Sequence, residues 1–193
     1  LSGTQMIAKG LHFPNVTLVG IVLADVGLQM ADFRASERTF QLLLQVAGRA
    51  GRGEVDGEVF VQSFTPHHPA IQFARHHAYR DFFDQDDEFR RAFGFPPHTH
   101  MALVTVRSRD DAAARHIAGR LARALAERPP AGLVVGDPAP APIEKLKGFH
   151  RYHVSLRSPQ VRAMTRHLRG CIAQLGQPAE VAVVVDVDPL NLL

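Results

Sequence analysis

From residue 15 the chain reads NVTLVGIVLADVG, an unbroken apolar run rich in β-branched residues. Such a run predicts a strand buried on both faces. ASERTFQLLLQVAG follows with helical spacing: Phe40, Leu43, Leu44 and Ala47 share one stripe, and Ser36 is placed to cap the first turn. GEVFVQSF (57–64) alternates imperfectly and predicts a second strand. Strand, helix, strand in that order is part of a parallel α/β layer. From Pro69 to about Phe93 the pattern predicts helix, ended by GFPP.

Beyond residue 98 the rhythm changes. HMALVTVRS predicts a strand, and DDAAARHIAGRLARALAER a helix with Ile117, Leu121 and Leu125 aligned and Asp110 at its start. AGLVVGDP is a short strand, and APAPIEKLKG a loop. RYHVSLRS alternates on Tyr152, Val154 and Leu156. PQVRAMTRHLRGCIAQLG places Val161, Met164, Leu168, Cys171, Ile172 and Leu175 on one helical face between Pro159 and Gly176. AEVAVVVDVDP is the closing strand. This β-α-β-β-α-β order is the split βαβ, or ferredoxin-like, arrangement. The expected fold is therefore a partial α/β layer followed by a small α+β domain, with a boundary near residues 94–98.

Composition narrows the class. A chain of 193 residues can form one large or two small domains. No apolar run approaches the roughly 20 residues that span a bilayer. The opening LSGTQMIAKGLHF lacks the basic-then-apolar signature of a secretory leader and starts inside a hydrophobic pattern without methionine. The expectation is a fragment of a longer chain. A single cysteine, Cys171, excludes an intramolecular disulfide or a cysteine-based zinc site within this chain. Its place on a helix stripe predicts a buried, inert thiol, and a reducing, cytoplasmic setting is expected.

The net charge of +3 is unevenly spread. Residues 1–66 and 67–97 each balance at −1, whereas residues 98–193 carry thirteen basic and eight acidic side chains. An excess of +5 in the last half suits contact with an anion such as nucleic acid, and equally a solvated surface.

QVAGRAGRG (45–53) is the densest chemical signal. A P-loop needs lysine directly after glycine, but Lys9, Lys145 and Lys147 follow alanine, glutamate and leucine. IVLAD (21–25) imitates a Mg²⁺-binding strand end, and without a P-loop Asp25 reads as a strand-end or turn residue. Arg49 and Arg52, three apart, would project together from a helical turn, with Gly48, Gly51 and Gly53 permitting close backbone approach. Two readings stay open. The guanidinium groups fork onto phosphates of a nucleotide held elsewhere, or they bond the carbonyls of their own helix end or surface carboxylates.

Taken together, GTQMIAKGLHFPNVTLV, ADFRASERTFQLLLQVAGRAGRG, FGFPP and GDPAPAPIEKLKGFHRYHVSL…DVDP resemble the C-terminal part of the PriA family, bacterial primosomal helicases that restart replication. The resemblance implies that residues 1–66 are part of a second RecA-like motor lobe with motifs V and VI, residues 67–97 a helical connector, and 98–193 a C-terminal DNA- and partner-binding domain. It implies ATP with Mg²⁺ as cofactor, shared with a first lobe outside this chain. Gln45, Arg49 and Arg52 would then complete the nucleotide site, with Gly10 and His12 near the nucleotide. His12 stands where aspartate is common, which weakens a ribose contact. Gly3, Thr4 and Gln5 would hold DNA phosphates, the other reading being ordinary turn hydrogen bonds. Zinc would belong to the parent protein, outside this chain.

Lys145, Lys147, His150, Arg151 and Tyr152 form a basic loop entering an aromatic strand start. This predicts phosphate contacts and a stacking role for Tyr152, against a solvated loop with Tyr152 in the core. The expected partners are branched and single-stranded DNA, single-stranded-DNA-binding protein and other primosome proteins, with the chain a monomer. The histidines at 67, 68, 76, 77, 98 and 100 match no metal-ligand spacing, and DQDDEF (84–89) reads as a solvated helix face. The expected function is the C-terminal portion of an ATP-driven 3′-to-5′ DNA helicase that restarts replication and assembles the primosome. The competing reading is an ATPase-dead DNA-binding scaffold of the same type.

Overall fold

A computed structural model describes residues 16–50 and 57–192. It divides into two compact units, Leu1–Phe89 and Arg90–Leu193.

In the first unit β1 (Leu18–Ile21) and β2 (Glu58–Val61) pair in parallel, Leu18 opposite Glu58 and Ile21 opposite Val61. Helix α1 (Ala35–Ala47) lies between them in sequence. The unbroken run at 15–27 leads to the expectation of a strand buried on both faces; the strand is shorter and open. Leu18, Val22 and Phe60 are exposed, because β1 and β2 have no further neighbour strand among the described residues. Nor does Ser36 cap α1. The chain turns through residues 30–34 and puts the buried Asp32 carboxylate under the helix start, where Oδ1 accepts from Arg34 N at 3.0 Å. Oδ2 lies 3.0 Å from Arg38 Nη1. Ser36 is already inside the helix.

The predicted helix from Pro69 to Phe93 is two helices, α2 (Pro69–Arg75) and α3 (Tyr79–Phe93). His77 at φ 51° takes the left-handed conformation and turns the chain between them. The unit's core is built where α1 meets both: Phe40 and Phe82 stack with centroids 4.1 Å apart and planes 5° from parallel, beside Leu43, Ile71 and Ala74.

The second unit holds β3 (His100–Ser108), α4 (Asp111–Glu127), β4 (Val134–Val135), β5 (Ala139–Leu146), β6 (Phe149–Ser158), α5 (Val161–Gln174) and β7 (Ala182–Val187). Its antiparallel sheet runs β4-β6-β3-β7, and β5 pairs with the first half of β6. The core follows the alternation. Ala102, Val104 and Val106 of β3 and Tyr152, Val154 and Leu156 of β6 are buried against Ile117, Leu121 and Leu125 of α4 and Met164 and Leu168 of α5. Asp110 caps α4, its Oδ1 accepting from Ala112 N at 2.9 Å.

APAPIEKLKG is a hairpin arm rather than a loop. Two prolines obscure it in the sequence, yet an edge strand tolerates them, and the register slips between Pro140 and Lys145. Asp188, in the DVDP stretch, fastens β7 to β3: its Oδ1 accepts from Met101 N at 3.0 Å, and its own N donates to Met101 O at 2.7 Å.

Candidate nucleic-acid interface

The hairpin joining β5 to β6 turns on only two residues, Lys147 at φ 51° and Gly148 at φ 83°. Two consecutive positive φ values define the type I′ turn, whose twist matches that of the flanking strands. The second position suits glycine, and Lys147 accepts the left-handed conformation at some cost. The turn therefore presents Lys147 at its tip, with Lys145 one pair back opposite His150. Both lysines are exposed. Arg151 is half-buried, and its Nη1 lies 3.4 Å from Ile143 O.

Tyr152 does not join this surface. Strand alternation turns it inward, where its ring is 6% exposed. Its hydroxyl closes a triangle at the start of α4: Arg115 Nε donates to it at 3.0 Å, and it donates to Asp111 Oδ1 at 2.9 Å. Arg115 Nη2 reaches Asp111 Oδ2 at 3.0 Å, and His150 Nδ1 lies 3.4 Å from Asp111 Oδ1. The expected stacking role is thus unavailable to Tyr152. What it does is anchor β6 beneath the basic tip.

The opposite face of β6 carries residues the sequence pattern did not single out. Register places Arg107 of β3 opposite Arg151 and Thr105 opposite His153. Arg107 and Arg109, both exposed, hold their guanidinium carbons 5.7 and 5.4 Å from the Phe149 ring centroid. Some 40 residues of sequence separate these groups, and only the β3–β6 register unites them. His153 is buried, with no partner for Nε2 among the described residues, and burial followed by the Arg151 charge lowers its pKa to about 4. The imidazole is neutral at pH 7.

In the first unit, Gln45 is exposed on the last turn of α1, and Arg49 sits half-buried in the turn beyond it. Arg49 N donates to Val46 O at 3.0 Å. The helix ends at Ala47, so Arg49 is not on the regular helical turn that would align it with a residue three further on. Gly48 at φ −66° uses none of glycine's extra freedom. Arg52, like Gly3, Thr4, Gln5, Gly10 and His12, lies outside the described residues.

Asp25 is a buried turn residue. Its carboxylate accepts from Ser63 Oγ at 2.7 Å, Phe64 N at 2.8 Å, Thr65 N at 3.0 Å and the Thr65 hydroxyl. The Thr65 and Ser63 hydroxyls hold it far below the usual carboxylate range. The half-buried Cys171 thiol points to Ala124 O at 3.6 Å, and burial together with the Glu127 charge pushes its pKa up. That makes it a poor nucleophile. Among the described residues no three potential metal ligands come together, and no helix is long and apolar enough to cross a membrane.

The second unit is thus a helix-backed antiparallel sheet with exposed cations on its β5–β6 hairpin and on β3. Residues 91–190 match the family described as the primosomal protein N C-terminal domain. The replication restart protein PriA of Bacillus subtilis is 39% identical over 100% of this chain, and that of Treponema pallidum 40% identical over 100%. The chain spans only 24% and 29% of those proteins' lengths. A solved hydantoinase/carbamoylase family amidase from Burkholderia ambifaria covers 46% of the chain and 27% of its own at 23% identity, with a TM-score of 0.31, from which no shared architecture follows. The chain belongs to the PriA family and corresponds to its C-terminal part.

Proposed function

We propose that the chain serves replication restart by contributing a DNA-contacting C-terminal domain and part of a motor lobe to a PriA-type protein. One observation carries the DNA contact: the exposed Lys147 stands at the tip of a two-residue turn, with Lys145 one pair back, on the hairpin that leads into β6, where Arg151 is the register partner of Arg107. Cations fixed on strand ends meet phosphates without ordering a loop first, and they read no sequence. That suits a protein that must engage forks of any sequence. We read the second unit as the split βαβ fold, in keeping with its strand order β4-β6-β3-β7.

For the first unit, the open apolar faces of β1 and β2 fit a sheet that continues into a larger RecA-like lobe. The residues present suit a contribution to an ATP·Mg²⁺ site rather than a complete one. Gln45 and Arg49 offer an amide and a guanidinium at a helix end, and the sequence holds no P-loop. ATP hydrolysis would supply the energy for 3′-to-5′ unwinding, and Arg49 would stabilise phosphate charge. Single-stranded-DNA-binding protein and other primosome proteins are the partners this reading implies, and zinc would sit elsewhere in the whole protein.

The test is binding of forked and single-stranded oligonucleotides by fluorescence anisotropy. The Lys145→Ala/Lys147→Ala double variant is expected to weaken binding roughly tenfold at low salt, whatever the sequence, with an unchanged circular-dichroism spectrum. Unchanged affinity would remove the hairpin from the interface.

A further inference from the structure

Tyr152, Val154 and Leu156 face the helices, so Phe149, Arg151 and His153 stand on the other side of β6. There Arg107 and Arg151 are register partners, two like charges directly opposite one another. That arrangement is destabilising by itself and becomes favourable when an anion lies between the pair. One step further along β6 is Phe149, half-buried, with the guanidinium carbons of Arg107 and Arg109 over its ring, 5.7 and 5.4 Å from the centroid.

The two carboxylates at the start of α4 are engaged on their own helix and on Tyr152. Asp110 is occupied at the start of α4 by Ala112 N, and Asp111 by Arg115 and Tyr152. Glu144 lies along the hairpin beside Lys145 and offsets one charge in part. Among the described residues, neither Arg107 nor Arg109 has a carboxylate partner, and neither do Lys145 and Lys147.

An aromatic ring amid exposed cations adds nothing to contact with duplex DNA, whose bases are stacked on each other and whose outside is phosphate. It does add contact with an unpaired base, because every base presents a π-face and guanidinium planes stack alongside it. We propose that this corner holds single-stranded DNA by stacking an unpaired base on Phe149, flanked by Arg107 and Arg109. The neighbouring phosphates lie on Lys147, at the tip of the hairpin, and on Arg151. The inference rests on the DNA-binding reading above and narrows it from backbone contact to contact with a base.

The experiment measures anisotropy of the 193-residue chain with two labelled probes of equal length and charge, an oligothymidine and its abasic counterpart. The chain is expected to bind oligothymidine about tenfold more tightly than the abasic strand, the scale of one base–aromatic stack. Phe149→Leu brings oligothymidine down to the abasic affinity, while Phe149→Tyr keeps the preference. Equal binding of both probes by the unaltered chain would overturn the stacking inference while leaving phosphate contact intact, and that comparison needs no variant to fold. Retention of the preference in Phe149→Leu would equally overturn it. Failure to bind either probe at low salt would overturn the DNA reading as well.

Discussion

The hydroxyl of Tyr152 is one atom that ties β6 to two side chains of α4: it accepts from Arg115, donates to Asp111, and rides on a ring packed in the core. Removing it should cost the net worth of such bonds and little else. Tyr152→Phe is expected to lower the stability of the C-terminal unit by about 1 kcal/mol in urea denaturation, with DNA affinity changed less than twofold. A large loss of affinity with intact stability would return the residue to the interface. The period-two alternation in RYHVSLRS already aligned Tyr152 with Val154 and Leu156, and that alignment, not the basic neighbours, governs where it goes. The role of Asp25 was harder to read. It acts through Ser63, Phe64 and Thr65, which only folding brings near, and no local pattern encodes a pairing 38 to 40 residues away.

At the scale of elements, β6 is the axis of the C-terminal unit, paired to β3 along its length and to β4 and β5 on its other edge. His153 sits mid-strand between Thr105 and Ala139, buried and close to the Arg151 charge. In the unfolded chain a histidine takes its proton near pH 6.5, but here it resists until about 4. Between those values the unfolded state binds more protons, so stability is complete above pH 6.5 and declines as pH falls towards 4. The urea midpoint of the unit should drop between pH 7 and pH 5, and His153→Gln should flatten that part of the curve. Equal slopes would place the histidine in contact with solvent. Helices α4 and α5 were legible because their apolar stripes are long, and α4 also has Asp110 as its cap. The β5 arm was not, since Pro140 and Pro142 mimic a loop and its partner strand is what makes it a strand. The break at His77 was hidden too, because the apolar period continues across it.

Over the whole molecule, the first unit leaves Leu18 of β1 and Phe60 of β2 uncovered, and in the second Lys145, Lys147, Arg107 and Arg151 come from the β3, β5 and β6 strands and the hairpin between the last two. In an intact PriA-type protein, Arg49→Ala is expected to reduce DNA-stimulated ATP turnover by at least tenfold while DNA affinity is retained. An unchanged turnover would leave Arg49 as a helix-end residue. The uneven charge was readable from composition alone; which cations meet was not, because Arg107 and Arg151 join only through strand register.

That register is the central claim, and the slope of DNA affinity against salt tests it most directly. For the 193-residue chain, the logarithm of the binding constant for single-stranded DNA should fall linearly with the logarithm of salt concentration. Arg107→Ala, far in sequence from the basic hairpin, should make that slope shallower by about one. A slope in Arg107→Ala equal to that of the unaltered chain would contradict the account.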